Sequence, residues 1–128
     1  MLENGLLHKE RKCLESLSIL EHPGLTDRAL AAIANSAGTT LKTLVISGSA
    51  WITDAGAVII AKKCPHLTHL SLASCSGITD DGVQAVVKGC SLLAELNLAR
   101  CSRLTMLGLQ MIEVSTIKLK CNGLARLL

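Results

Sequence analysis

The sequence predicts an α/β solenoid, a short horseshoe with parallel strands on the concave face and helices on the convex face. Three observations predict it. The chain repeats itself, because one step of 26 carries Cys64 to Cys90, Cys75 to Cys101, Leu67 to Leu93, Leu70 to Leu96, Leu72 to Leu98 and Gly82 to Gly108. Each repeat opens with apolar alternation and continues with apolar residues at helical spacing. Finally, 49% of the chain is hydrophobic, yet Phe and Tyr are absent and Trp51 is the only aromatic residue. A core of Leu, Ile, Val and Ala suits thin, regular layers better than a bulky centre.

The 128 residues read as a single array, with approximate units 1–13 (partial), 14–37, 38–63, 64–89, 90–115 and 116–128 (partial). Stepping back by 26 from the central unit reaches Leu41, Leu44, Ile46, Thr53, Asp54 and Gly56, and a step of 27 reaches Leu14, Leu17, Ile19, Thr26 and Asp27. The segments LKTLVIS (41–47), LTHLSLA (67–73) and LAELNLA (93–99) carry L-x-x-L-x-L and end in the alternation of a short strand. After a turn come ITDAGAVIIAKKC (52–64), ITDDGVQAVVKGC (78–90) and LTMLGLQMIEV (104–114), where Thr or Asp can cap a helix whose first amides need an acceptor. In the unit 14–37, Pro23, Gly24, LTD (25–27) and ALAAIA (29–34) supply the same turn and helix. NGLLHKERKC (4–13) aligns with DGVQAVVKGC (81–90), and IKLKC (117–121) reads as a further strand with its cysteine. One strand and one helix in 20–29 residues is the signature of leucine-rich repeats.

The cysteines belong to this pattern. Cys64 and Cys90 close helices, where a small buried thiol fits beneath the next strand. Cys75 and Cys101 follow strands, where leucine-rich repeats often hold Asn or Cys and an S–H can donate to turn carbonyls. Their spacings match no compact zinc pattern, so no metal is expected.

The unit C-x-x-L-x-x-L-x-L-x-x-C-x-x-ITD-x-G resembles the cysteine-containing leucine-rich repeats of F-box proteins and of relatives that lack the F-box. The match is strongest over 64–105, good over 38–63 and fair over 14–37. The resemblance implies a non-enzymatic protein-interaction module that recognises substrates for an SCF-type, cullin-based ubiquitin ligase in ubiquitin-dependent protein catabolism. In that family the F-box docks the adaptor Skp1. No segment of that kind precedes the repeats here, so Skp1 and cullin contact is expected only if an F-box is supplied elsewhere. The alternative is an F-box-free structural or regulatory repeat protein with no ligase role. Neither end carries a polar cap, which solenoids usually need. Leu6, Leu7 and Leu14 at one end and Leu119, Leu124 and Leu127 at the other therefore lead us to expect a fragment of a longer array, or self-association.

Candidate sites follow from the strand alternation. Leu70 and Leu72 face the core, so Thr43, His69 and Glu95 form one concave row, Val45, Ser71 and Asn97 a second, and Ser47, Ala73 and Ala99 a third. Ser16, Ser18 and Leu20 extend the rows on one side, and Thr116, Lys118 and Lys120 on the other. This mildly polar face suits an extended peptide or a partner loop. Trp51 aligns with Gly77 and Arg103 in the turn after the strand. It reads as a cover over the edge of the Leu44–Ile52 layer, with an exposed anchor as the alternative. Arg100 and Arg103 on the same rim could meet an acidic partner.

No catalytic constellation and no cofactor loop assemble. Asp54, Asp80 and Asp81 sit at helix starts, where the dipole favours carboxylates. His66 and His69 bracket a strand start and point to different sides, and Gly56, Gly82 and Gly108 lack a phosphate-loop context. A net charge of +3 with scattered basic residues is too weak for a nucleic-acid footprint, and KERK (9–12) reads as a solvated helix face. No apolar run reaches a membrane span and no signal peptide is evident, so cytosol or nucleus and reduced thiols are expected.

Overall fold

The computed structural model describes residues 13–113 and 117–120. Within them, strands β1 (Ser16–Leu20), β2 (Thr43–Ser47), β3 (His69–Ser71), β4 (Glu95–Asn97) and β5 (Lys118–Lys120) alternate with helices α1 (Asp27–Ala37), α2 (Asp54–Lys63), α3 (Asp80–Gly89) and α4 (Met106–Glu113). Each strand pairs in parallel with its neighbour in sequence, giving one sheet in the order β1-β2-β3-β4-β5. The helices pack successively α1 on α2, α2 on α3 and α3 on α4. Adjacent strands lie about 4.8 Å apart, whereas packed helices need about 8–10 Å. Stacking both at one unit per step therefore curves the array with its strands inside. This is an α/β leucine-rich-repeat solenoid.

The core is one layer repeated. Leu41, Leu44, Ile46, Ile52, Ala57 and Ile60 are fully buried, as are Leu67 and Ile78 at the equivalent places one unit on. The strands are shorter than the L-x-x-L-x-L pattern suggests. Leu41, Leu67 and Leu93 are buried but precede the strands, because their amides turn back to Ala37, Cys64 and Cys90 carbonyls. The register also corrects the last concave row. Glu95 pairs with Lys118 and Asn97 with Lys120, a step of 23 where the two before it are 26. Lys118, not Thr116, thus continues the row of Thr43, His69 and Glu95. Thr116, KERK, NGLLHKERK, Cys121 and the terminal leucines 6, 7, 124 and 127 lie outside the described residues.

Units are tied by a polar clasp that reading Thr and Asp as caps did not reveal. Thr26, Thr53 and Thr79 do cap α1, α2 and α3. The following aspartate, however, reaches across to the next unit. Asp27 accepts from the Thr53 N–H at 2.9 Å, Asp54 from Thr79 N–H at 2.7 Å and Asp80 from Thr105 N–H at 2.9 Å, and each also accepts the threonine hydroxyl. The repeated glycine has its reason here, since a Cβ on Gly56, Gly82 or Gly108 would collide with the clasping carboxylate of Asp27, Asp54 or Asp80. Asp81 stays exposed outside the clasp. In the fourth unit Met106 stands where the others have Asp.

The cysteines are structural, with one refinement. Cys64 and Cys90 cap the C-termini of α2 and α3 and are buried. Cys101 Sγ donates to the Leu72 carbonyl at 2.9 Å, and Cys75 Sγ lies 3.7 Å from Ala73 O and 3.9 Å from Ile46 O. The main acceptors thus include carbonyls of the preceding unit as well as the thiol's own turn. Burial raises all four thiol pKa values, to about 11 for Cys90 and Cys101. Ser49 occupies the same place one unit earlier. It is buried, and its hydroxyl has no hydrogen-bond partner among the described residues.

Candidate protein-binding faces

The strand register sets the concave rows. Thr43, His69 and Glu95 are Cα partners across β2, β3 and β4, and so are Val45, Ser71 and Asn97. Ser47 faces Leu20 of β1, while Ala73 and Ala99 come two residues after the ends of β3 and β4. Six of these side chains, with Leu70 beneath, line an open depression of about 330 Å³. The two further alanines lie beyond it, toward the rim.

The depression has its own electrostatics. His69 Nε2 lies 3.3 Å from a Glu95 carboxylate oxygen, and its Nδ1 is 2.8 Å from the Thr68 hydroxyl. Asn97 Oδ1 accepts the Ala99 N–H at 3.0 Å, so the group it can offer a partner is the amide N–H₂, a donor. The face therefore offers hydrogen-bond donors and acceptors beside the apolar Val45 side chain. A strand-like peptide can use such a set. His66 lies in the turn before β3, not on an extended segment, and its Nδ1 is 2.8 Å from the Thr39 carbonyl.

The rim differs from its sequence reading. Trp51 is 66% exposed, while Leu44 and Ile52 are fully buried. An indole that open to solvent is not packed as a cover over that layer. Trp51 and Arg103 instead line one depression of about 510 Å³ with Ala50, Thr53, Asp54, Ser76, Gly77 and Thr79. Arg100 is exposed nearby in chain and holds a left-handed backbone at φ 60°. Glu21, Gly48 and Ser74 share that conformation at φ 50°, 69° and 59°, one per unit, at the turn where each strand ends. Only the second unit uses glycine there, so the sequence carries no common signal for the turn. Among the described residues no group of His, Cys, Asp and Glu could hold a metal ion, and no helix is long and apolar enough to cross a membrane.

Comparison with known proteins agrees with the fold. The leucine-rich-repeat family model matches residues 39–61 and 63–87, covering the second and third units. The chain therefore carries leucine-rich repeats, an architecture that serves protein–protein interaction. No curated protein sequence matches it. Among solved structures it is similar to the crystal structure of the Rad7 and Elc1 complex in yeast, with a TM-score of 0.52 at 15% identity. The likeness covers 75% of this chain and 32% of that one, so the chain spans about a third of its structural relative.

Proposed function

We propose that the chain is a non-catalytic recognition module whose concave face holds an extended segment of a partner protein. The observation that carries this reading is the depression over β2, β3 and β4, lined by Thr43, Val45, His69, Ser71, Glu95 and Asn97. Alternating side chains on a curved parallel sheet give a peptide both an apolar seat and hydrogen-bond partners. The finer proposal is substrate recognition for an SCF-type ubiquitin ligase in the cytosol or nucleus. It is supported by the cysteine-containing repeat pattern, which resembles that of F-box proteins, and by a structural relative solved as a two-protein complex. Skp1 and cullin enter this proposal through an F-box supplied elsewhere.

Affinity purification from cells tests both levels. The ligase reading expects Skp1 and cullin together with a protein whose half-life lengthens when the chain is depleted. Recovery of a partner lost on Asn97→Lys, without either ligase component, favours the F-box-free regulatory alternative. A partner unaffected by changes at His69, Ser71 and Asn97 overturns the concave-face assignment.

A further inference from the structure

The rim depression is a second site, built by one row of the repeat. Trp51, Gly77 and Arg103 occupy the same position in three successive units. An indole and a guanidinium thus flank a unit with no side chain at all. That gap is imposed by the fold. Gly77 is bridged to Thr53, and a Cβ on it would collide with the Ile52 carbonyl. The floor between the two large side chains therefore cannot be filled by substitution at Gly77.

Charge then selects the occupant. Asp54 lies in the floor, but its two oxygens take the Thr79 N–H and hydroxyl, and it sits at the N-terminus of α2, where the helix dipole offsets its charge. Arg103 is exposed, and among the described residues no carboxylate pairs with it. Of the two charged groups in the lining, Asp54 has its oxygens engaged, and Arg103 presents its guanidinium donors to solvent. Trp51 adds an apolar face that is 66% open to solvent. Trp and Arg are also the residue types that dominate binding energy at protein interfaces.

The geometry points to the Trp51–Gly77–Arg103 notch as a docking site for an acidic peptide segment, one aliphatic side chain packing on the indole while a neighbouring carboxylate pairs with the guanidinium. A planar guanidinium holds a carboxylate through two parallel hydrogen bonds, which favours Asp or Glu over an uncharged amide. This site lies on the rim, apart from the concave depression, so it stands or falls separately from the proposed function.

The molecule supplies its own reporter, because Trp51 is its only aromatic residue. Hexapeptides with a central Leu-Asp-Leu would be titrated into the full chain while Trp51 emission is followed, beside Leu-Asn-Leu counterparts. The expected result is a saturable emission change for the Asp peptides, about tenfold weaker for the Asn peptides and about tenfold weaker for the Arg103→Ala variant. The difference should shrink as salt rises. His69→Ala should leave the titration unchanged, which separates this notch from the concave face. Silence toward all Asp peptides, equal response to Asp and Asn, or an equal response to a short oligonucleotide would overturn the assignment.

Discussion

Two kinds of row run along this array, and they behave differently. At the clasp row the units are alike: Asp27, Asp54 and Asp80 each grip Thr53, Thr79 and Thr105, with Gly56, Gly82 and Gly108 making room. On the strand face and the rim each unit differs: Thr43, His69 and Glu95 form one row and Trp51, Gly77 and Arg103 another. Repetition within one chain is a physical comparison. Where every unit must meet its neighbour in the same way, the same residues return. Where the side chain meets solvent or a partner, the fold leaves the choice open.

Breaking the uniform row should cost most. Gly82→Ala drives a methyl into the Asp54 carboxylate, and we expect a loss of about 3 kcal/mol in unfolding free energy by chemical denaturation. A loss below about 0.5 kcal/mol would show that the clasp is slack.

Alkaline pH strikes the same interior. Because burial raises the folded pKa of Cys90 and Cys101 from 9.0 to about 11, the folded state holds protons that the unfolded chain releases between those values. Stability should be intact below pH 9.0 and fall by about 2 kcal/mol per thiol as pH rises toward about 11. A denaturation series in pH, with Cys101→Ala flattening the slope, checks the sign.

The cysteine row sharpens the comparison because Ser49 stands one unit before Cys75 and Cys101, in the same place. Cys101→Ser should cost about 1–2 kcal/mol by shortening the reach to the Leu72 carbonyl. Ser49→Cys should gain about 1 kcal/mol, since the buried hydroxyl there lacks a partner. If both changes destabilise equally, the second unit is shaped for serine.

At the variable rows, His69→Ala and Trp51→Ala should move stability by no more than about 0.5 kcal/mol, yet weaken peptide binding at their own sites. Thermal melts paired with binding titrations would read both. Zinc chelation should leave the melting curve where it is, and unfolding on chelator would revive a metal role for the cysteines.

The layered core was legible because Leu, Ile and Cys recur at one step, and subtraction finds them without knowing their contacts. The concave rows were legible too, since alternation in β2 fixes Thr43 and Val45 on one side. Strand length was not: Leu41 and Leu67 look like strand residues, and only their amide bonds to Ala37 and Cys64 reveal turns. The clasp escaped because Thr–Asp at a helix start has a sufficient local reason. Trp51 was misread because burial looks the better fate for an indole, whereas this one stays 66% exposed at the rim. Ser49, by contrast, could have been found by stepping back one unit from Cys75.

Met106 has a consequence for how such an array can be lengthened. The clasp has a giver and a taker, the giver always being the earlier unit. A duplicated cassette of residues 64–89 inserted after residue 89 would arrive with Thr79 ready to be gripped and Asp80 ready to grip, so the joint is complementary on both sides. A copy added behind the fourth unit would meet Met106, which offers no carboxylate. The clasp row is thus extensible from its middle and lapses at Met106, past which the sheet alone carries on into β5, until Met106→Asp restores the missing grip.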